Sequence, residues 1–197
     1  MRFILASSSP RRRELISTLG IPFEIIKPDI DETQRQGENP FDYVRRLSIE
    51  KAQAVVDQIE GDATVLAADT IVVLAADTIG VAEDGELLGK PANANEARAM
   101  LRRLRARPHI VCTAFTLQQV NGVTITELVK TVVHMRDYSD AEIEAYIATG
   151  DPFDKAGSYA IQHEGFAPVA RIEGDRNNVI GLPLDAVKAA LAKLSSH

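Results

Sequence analysis

The chain has 197 residues, 22 Lys+Arg against 28 Asp+Glu for a net charge of −6, and is 45% hydrophobic and 25% charged, the composition of an ordinary globular domain rather than a polyanion binder. Folding at this length removes about 70% of the unfolded surface from water, so a core forms without staples, and the lone Cys112 excludes an intrachain disulfide and points to a reducing, cytoplasmic setting. Apolar runs fall short of the roughly 20 residues that span a bilayer, and the Arg11-Arg12-Arg13 cluster follows the apolar residues 3–6 instead of preceding them, so neither a membrane span nor a secretory or twin-arginine leader is expected.

In chain order, residues 2–6 read as a strand, the Ser-Ser-Ser-Pro at 7–10 as a turn, and 11–19 as a helix with Pro10 at its start and Gly20 past its end. A second strand is expected at 23–27, then an acid-rich loop over 28–39. Phe41, Val44, Leu47, Ala52, Val55 and Ile59 recur at steps of three and four, which predicts a helix over 40–59 whose exposed face carries Arg45, Arg46 and Glu50. Residues 64–81 are almost all β-branched or small and apolar, the pattern of a strand buried on both faces. Asp84-Gly85 signals a turn from which 86–88 pair back.

Residues 95–104 read as a helix, and 109–119 with 123–135 as a hairpin across Asn121-Gly122. Ser139 and Glu142 form a capping box that opens a helix ending at Gly150. Short strands are expected at 158–162 and 169–172 and a last helix over 183–194. Strands alternating with helices, plus central hairpins, predict an α/β protein with a mixed, twisted sheet and flanking helices.

Residues 65–72 read VLAADTIV and 73–80 read VLAADTIG, a tandem duplication that differs only at its last position. In one continuous strand Asp69 and Asp77 share a face about 26 Å apart at about 3.3 Å per residue. They cannot serve one centre unless the chain folds back.

Several residues could carry chemistry. A hydroxyl-rich turn between strand and helix, Ser7-Ser8-Ser9-Pro10-Arg11-Arg12, aims backbone N–H groups, a dipole end and Arg donors at an anion such as phosphate, although an ordinary Ser cap with solvated arginines has the same sequence. Asp69 lies in an apolar strand, where an unpaired charge costs several kcal/mol, so it requires a metal ion or a lysine. Asp31-Glu32 sits in the acidic loop, Lys51 near the apolar side of the long helix, and Lys90 between Gly89 and Pro91. Carboxylates, lysines, an arginine and a helix start together suit metal-assisted attack on a phosphate ester or anhydride. The four His have no metal-ligand spacing, no GxxxxGKS/T or GxGxxG loop occurs, and aromatics are only 5%, too few for a nucleic-acid stacking platform.

The SSSPRRREL start, Asp31-Glu32, the EKA at 50–52, the ADT at 68–70, the GKP at 89–91, DKAGSYAIQ at 154–162 and NNVIGLPL at 177–184 together resemble the Maf family of nucleoside triphosphate pyrophosphatases. The resemblance runs from the first strand to the last helix. It implies one Maf-like domain over 1–197, a Maf/Ham1 (ITPase-like) fold with two lobes around a cleft, and hydrolysis of a nucleoside triphosphate to monophosphate and pyrophosphate with Mg²⁺ or Mn²⁺. By motif, Asp69 is implied as the general base and metal ligand, Glu32 as a metal-associated acid, and Ser9, Arg12, Lys51 and Lys90 as triphosphate-binding residues. AGSYAIQ resembles the branch acting on dTTP and UTP, with Arg12, Thr70 and Gln162 as specificity positions; an amide such as Gln162 complements the donor and acceptors of a pyrimidine dione.

The resemblance also suggests a homodimer, and implies neither a nucleic-acid polymer nor a membrane as partner. The duplication leaves Asp69 and Asp77 as rival copies of the base; Asp69 is preferred because a hairpin loop absorbs an insertion more easily than a strand entering the core. A nucleotide-binding regulator with weak or no catalysis is the alternative function.

Overall fold

A computed structural model describes residues 2–74 and 85–194; the second copy of the repeat from residue 75 on, with Asp77, and the Asp84 side of the expected turn lie outside them. The chain forms two compact units, Met1–Thr70 with Thr113–Val129 and Gly181–His197, and Ile71–Cys112 with Lys130–Ile180. Strand pairing is mixed and helices flank the strands, so the α/β expectation holds.

In the first unit, β1 (Arg2–Ala6) runs parallel to β2 (Glu24–Ile25) and to β3 (Ala63–Leu74), with Arg2 opposite Ala63 and Ala6 opposite Ala67. Helix α1 (Pro10–Ser17) starts on Ser9, whose hydroxyl accepts from the Arg12 N–H, and α2 (Pro40–Val56) starts on Asn39, whose side chain accepts from the Phe41 N–H. Both place Pro at the first helical position, where its missing N–H costs nothing. Ile4, Ala6, Ala63, Val65 and Ala67 form a buried cluster with Ala52 and Val55 of α2, so alternate residues of β1 and β3 face that helix. The second strand is shorter than the five residues expected: only Glu24 and Ile25 pair, both exposed, between Pro22 and Pro28, which lack N–H groups for a ladder. Helix α6 (Leu184–Leu194) closes the unit.

In the second unit, the end of β3 pairs antiparallel with β4 (Glu86–Leu88), Val72 opposite Leu88. Strands β5 (Pro108–Gln119) and β6 (Thr124–Met135) contribute residues to both units, and β7 (Val169–Glu173) lies antiparallel on β6. Helix α3 (Ala94–Leu104) starts on Asn93, and α4 (Asp140–Ala148) has the expected capping box of Ser139 and Glu142. Helix α5 (Arg176–Ile180) has no counterpart in the sequence reading. Leu88, Leu101, Leu104, Val111, Val133 and Tyr146 belong to this unit's core.

The strand expected at 158–162 is replaced by two 3₁₀ turns, Asp151–Asp154 and Ala156–Ser158. Gly157 (φ 70°) and Ser158 (φ 64°) are left-handed, and a left-handed pair cannot continue a pleated ladder. Among the described residues no helix is long and apolar enough to cross a membrane.

Candidate functional site

The site in the first unit is built where β3 changes from apolar to polar. Asp69 continues the alternation of Ala63, Val65 and Ala67 toward α2, where Lys51 waits one turn before Val55. The Lys51 Nζ lies 2.6 Å from Asp69 Oδ1 and 3.1 Å from Glu32 Oε1. Side-chain exposures of 8% for Lys51, 14% for Asp69 and 59% for Glu32 separate a sheltered ion pair from a carboxylate open to solvent. The apolar-strand argument required a cation beside Asp69, and Lys51 supplies it.

Glu32 is held from behind. The Tyr43 hydroxyl donates to the Glu32 carbonyl (2.8 Å), and the Asp31 carboxylate accepts from the Thr33 N–H (2.9 Å). Arg46 clamps the same loop, donating to Glu38 Oε1 and Oε2 (2.6 and 2.8 Å), Glu50 Oε2 (2.9 Å) and the Thr33 carbonyl (3.1 Å). Hydrogen bonds from Arg46 pull the Glu38 carboxyl down to about 2. Arg46 therefore corrects the exposed face expected of α2: its guanidinium is covered by the acidic loop, with only 13% of the side chain exposed. Periodicity places a residue on a helix but not the loop that folds over it.

Thr70, on the opposite pleat from Asp69, joins a second group. Arg12 donates from Nε to the Gly181 carbonyl (2.9 Å), from Nη2 to Thr70 Oγ1 (3.0 Å) and from Nη1 to Ser7 Oγ (3.5 Å). Thr70 Oγ1 also pairs with Thr113 Oγ1 at 2.9 Å. Burial pulls the Arg12 guanidinium below its usual value, and the charges of Asp69 and Glu32 oppose that pull; a guanidinium remains a cation throughout. Gly181 has φ 130°, and a Cβ there would stand 3.8 Å from Thr70 Oγ1 and 4.0 Å from Arg12 Nε. Only glycine enters that backbone region without strain.

Ser9, Arg12, Glu32, Lys51, Asp69 and Thr70 thus belong to the first unit, whereas Lys90 and Gln162 are exposed residues of the second. Thr113, Tyr43, Arg46 and the Gly181 carbonyl were not read as site residues from sequence. Only Gly181 had a signal, as the glycine of NNVIGLPL. Cys112 is buried.

Among the described residues no three His, Cys, Asp or Glu side chains gather into a metal cage. The candidate donor pair is Glu32 and Asp69, already sharing one ammonium. Mg²⁺ is commonly held by one or two carboxylates plus phosphate oxygens and water, so this pair fits a divalent cation held jointly with a phosphate ligand.

The family model described as "Maf-like protein" matches residues 2–194. The chain belongs to the Maf family. Among Maf relatives, the "dTTP/UTP pyrophosphatase" of Syntrophus aciditrophicus is 44% identical over 196 residues, covering 99% of this chain and 91% of that protein. The protein of the same description from Anaeromyxobacter dehalogenans strain 2CP-1 is 47% identical over 195 residues, covering 98% and 93%. In fold, the Maf chain is similar to the Staphylococcus aureus Ham1 protein (TM-score 0.53, 13% identity, 98% of this chain and 99% of that one). It is likewise similar to a HAM1 protein from Coxiella burnetii (TM-score 0.52, 16% identity, 100% of both). These are likenesses of architecture, in keeping with a Maf/Ham1 fold.

Proposed function

We propose that this Maf protein is a nucleoside triphosphate pyrophosphatase that hydrolyses dTTP and UTP to the monophosphate and pyrophosphate. The relatives described as dTTP/UTP pyrophosphatases, matched at 44% and 47% identity over almost the whole chain, support the reaction and the bases. The observation that carries the chemistry is the sheltered Lys51–Asp69 pair with Glu32 beside it.

In this reading Asp69 takes a proton from a water molecule whose oxygen forms a bond to the α-phosphorus, and the α–β bridging oxygen leaves with the pyrophosphate. Lys51, 2.6 Å from Asp69, keeps the carboxylate charged until the proton arrives. Glu32 and Asp69 would hold a divalent cation, Mg²⁺ or Mn²⁺, which supplies neutralisation of triphosphate charge when bound. Ser9 at the start of α1 and Arg12 offer donors to phosphate oxygens. Lys90 serves as a further triphosphate cation, and Arg12, Thr70 and Gln162 as the residues that set base preference, with the Gln162 amide pairing the base edge. The whole chain acts as one catalytic domain in the cytoplasm and as a homodimer, on small nucleotides and not on nucleic acid. Analytical ultracentrifugation checks the dimer.

A panel of dTTP, UTP, CTP and GTP with Mg²⁺ and identification of products tests the reading. We expect pyrophosphate and monophosphate from dTTP and UTP ahead of CTP and GTP. Tight binding without turnover would favour a nucleotide sensor instead.

A further inference from the structure

The buried lysine of the second unit, Lys155, takes no part in the chemistry above. Its Nζ donates to the Asp151 carbonyl (2.7 Å), Asp151 Oδ1 (2.8 Å) and Asp154 Oδ1 (2.6 Å), and only 8% of its side chain is exposed. Tyr146 completes the cluster from α4: its hydroxyl donates to Asp151 Oδ2 (2.6 Å) and accepts from the Ala160 N–H (3.0 Å), while its ring stacks on Phe166 with centroids 4.5 Å apart. Against the upward pull of burial, Lys155 and the Tyr146 hydroxyl hold the Asp151 carboxyl below its usual range. Burying such a set is no more stabilising than apolar packing of the same volume. What it provides is one fixed arrangement of an irregular backbone.

That backbone carries two candidate site residues. The Gly157 N–H donates to the Gly89 carbonyl at 3.1 Å, immediately before Lys90. A Cβ on Gly157 would lie 3.2 Å from both Val72 methyl carbons, so the turn sits against β3 with room for glycine alone. Ser158 follows in the left-handed region, its N–H bonded to the Lys155 carbonyl (3.1 Å), and Tyr159 pairs through its hydroxyl with His109 Nε2 (2.7 Å). Ala160, anchored by Tyr146, stands two residues before the exposed Gln162. Strained backbone of this kind persists where surroundings over-determine it, and it gathers at ligand clamps.

We propose that Lys155 and Tyr146 are positioning residues that lock the 155–160 turn and thereby set both Lys90 and Gln162 for the nucleotide. This rests on the base-reading role of Gln162 proposed above. The test is the steady-state kinetics of UTP and CTP hydrolysis by the full chain, wild type beside Lys155→Met, Lys155→Arg and Tyr146→Phe, with thermal melting of each. Tyr146→Phe keeps the ring stack and serves if Lys155→Met does not fold. We expect Lys155→Met and Tyr146→Phe to lower the UTP-to-CTP ratio of kcat/KM by about tenfold, since misplacement of about 1 Å costs up to about 100-fold. KM for UTP should rise more than kcat falls, and Lys155→Arg should stand closer to wild type than Lys155→Met.

An unchanged ratio and KM in both variants, with only a lower melting temperature, overturns the positioning role. A wild type that releases no pyrophosphate, or does not distinguish UTP from CTP, overturns the functional reading and this inference with it.

Discussion

The ammonium of Lys51 between Asp69 and Glu32 places a stabilising interaction and a catalytic one in the same atoms. Asp69→Asn should lower pyrophosphate release from UTP by about 100-fold or more while nucleotide binding, followed by calorimetry, survives. Lys51→Met strips the cation from a sheltered carboxylate and should cost about 2 kcal/mol of stability by urea unfolding, the scale of a lost charge-assisted hydrogen bond. Asp69 was legible from sequence because a carboxylate in an apolar strand needs a partner somewhere. Thr113 was not, since its contact with Thr70 joins residues 43 apart and no local pattern marks a threonine that faces another threonine. The Gly181 carbonyl is a backbone atom, which side-chain reading does not see.

At the scale of elements, local rules worked where the structure itself is local. The Ser139–Glu142 capping box appears as written in the sequence, and Ser139→Ala should cost about 1 kcal/mol in unfolding experiments without changing kcat or KM. The segment 158–162 failed because Tyr146, His109 and Gly89, distant in sequence, hold it out of extended geometry. Arg46 failed for the related reason that the 31–39 loop folds over α2. Arg46→Ala should release that loop and with it Glu32, weakening Mn²⁺ binding by the free protein in a paramagnetic titration, although Arg46 touches neither ion nor nucleotide in the mechanism above.

For the molecule as a whole, acid should unfold the protein in two stages. Burial pushes His109 from 6.5 down to about 3. Between those values the unfolded chain binds a proton that the folded chain refuses, so stability falls as pH drops below 6.5, by up to about 1.4 kcal/mol per pH unit. Below about 4.5 the loss steepens, because Glu38 and Glu142, held down to about 2 by Arg46 and Arg136, must be protonated as their ion pairs break. Unfolding midpoints measured from pH 6.5 to 4.5 check the first stage, and His109→Gln should flatten it. The mixed strand order and flanking helices were legible from alternation and caps; the division into two units was not, because β3, β5 and β6 are continuous strands whose residues are shared by both.

The central claim, water attack on the α-phosphorus under Asp69, is tested most directly by turning over UTP in ¹⁸O-labelled water and locating the label by ³¹P resonance. We expect the label in UMP and none in pyrophosphate, with the Asp69→Asn variant releasing neither at the wild-type rate. Label in pyrophosphate, UDP with labelled inorganic phosphate, or an Asp69→Asn variant as fast as wild type would contradict it.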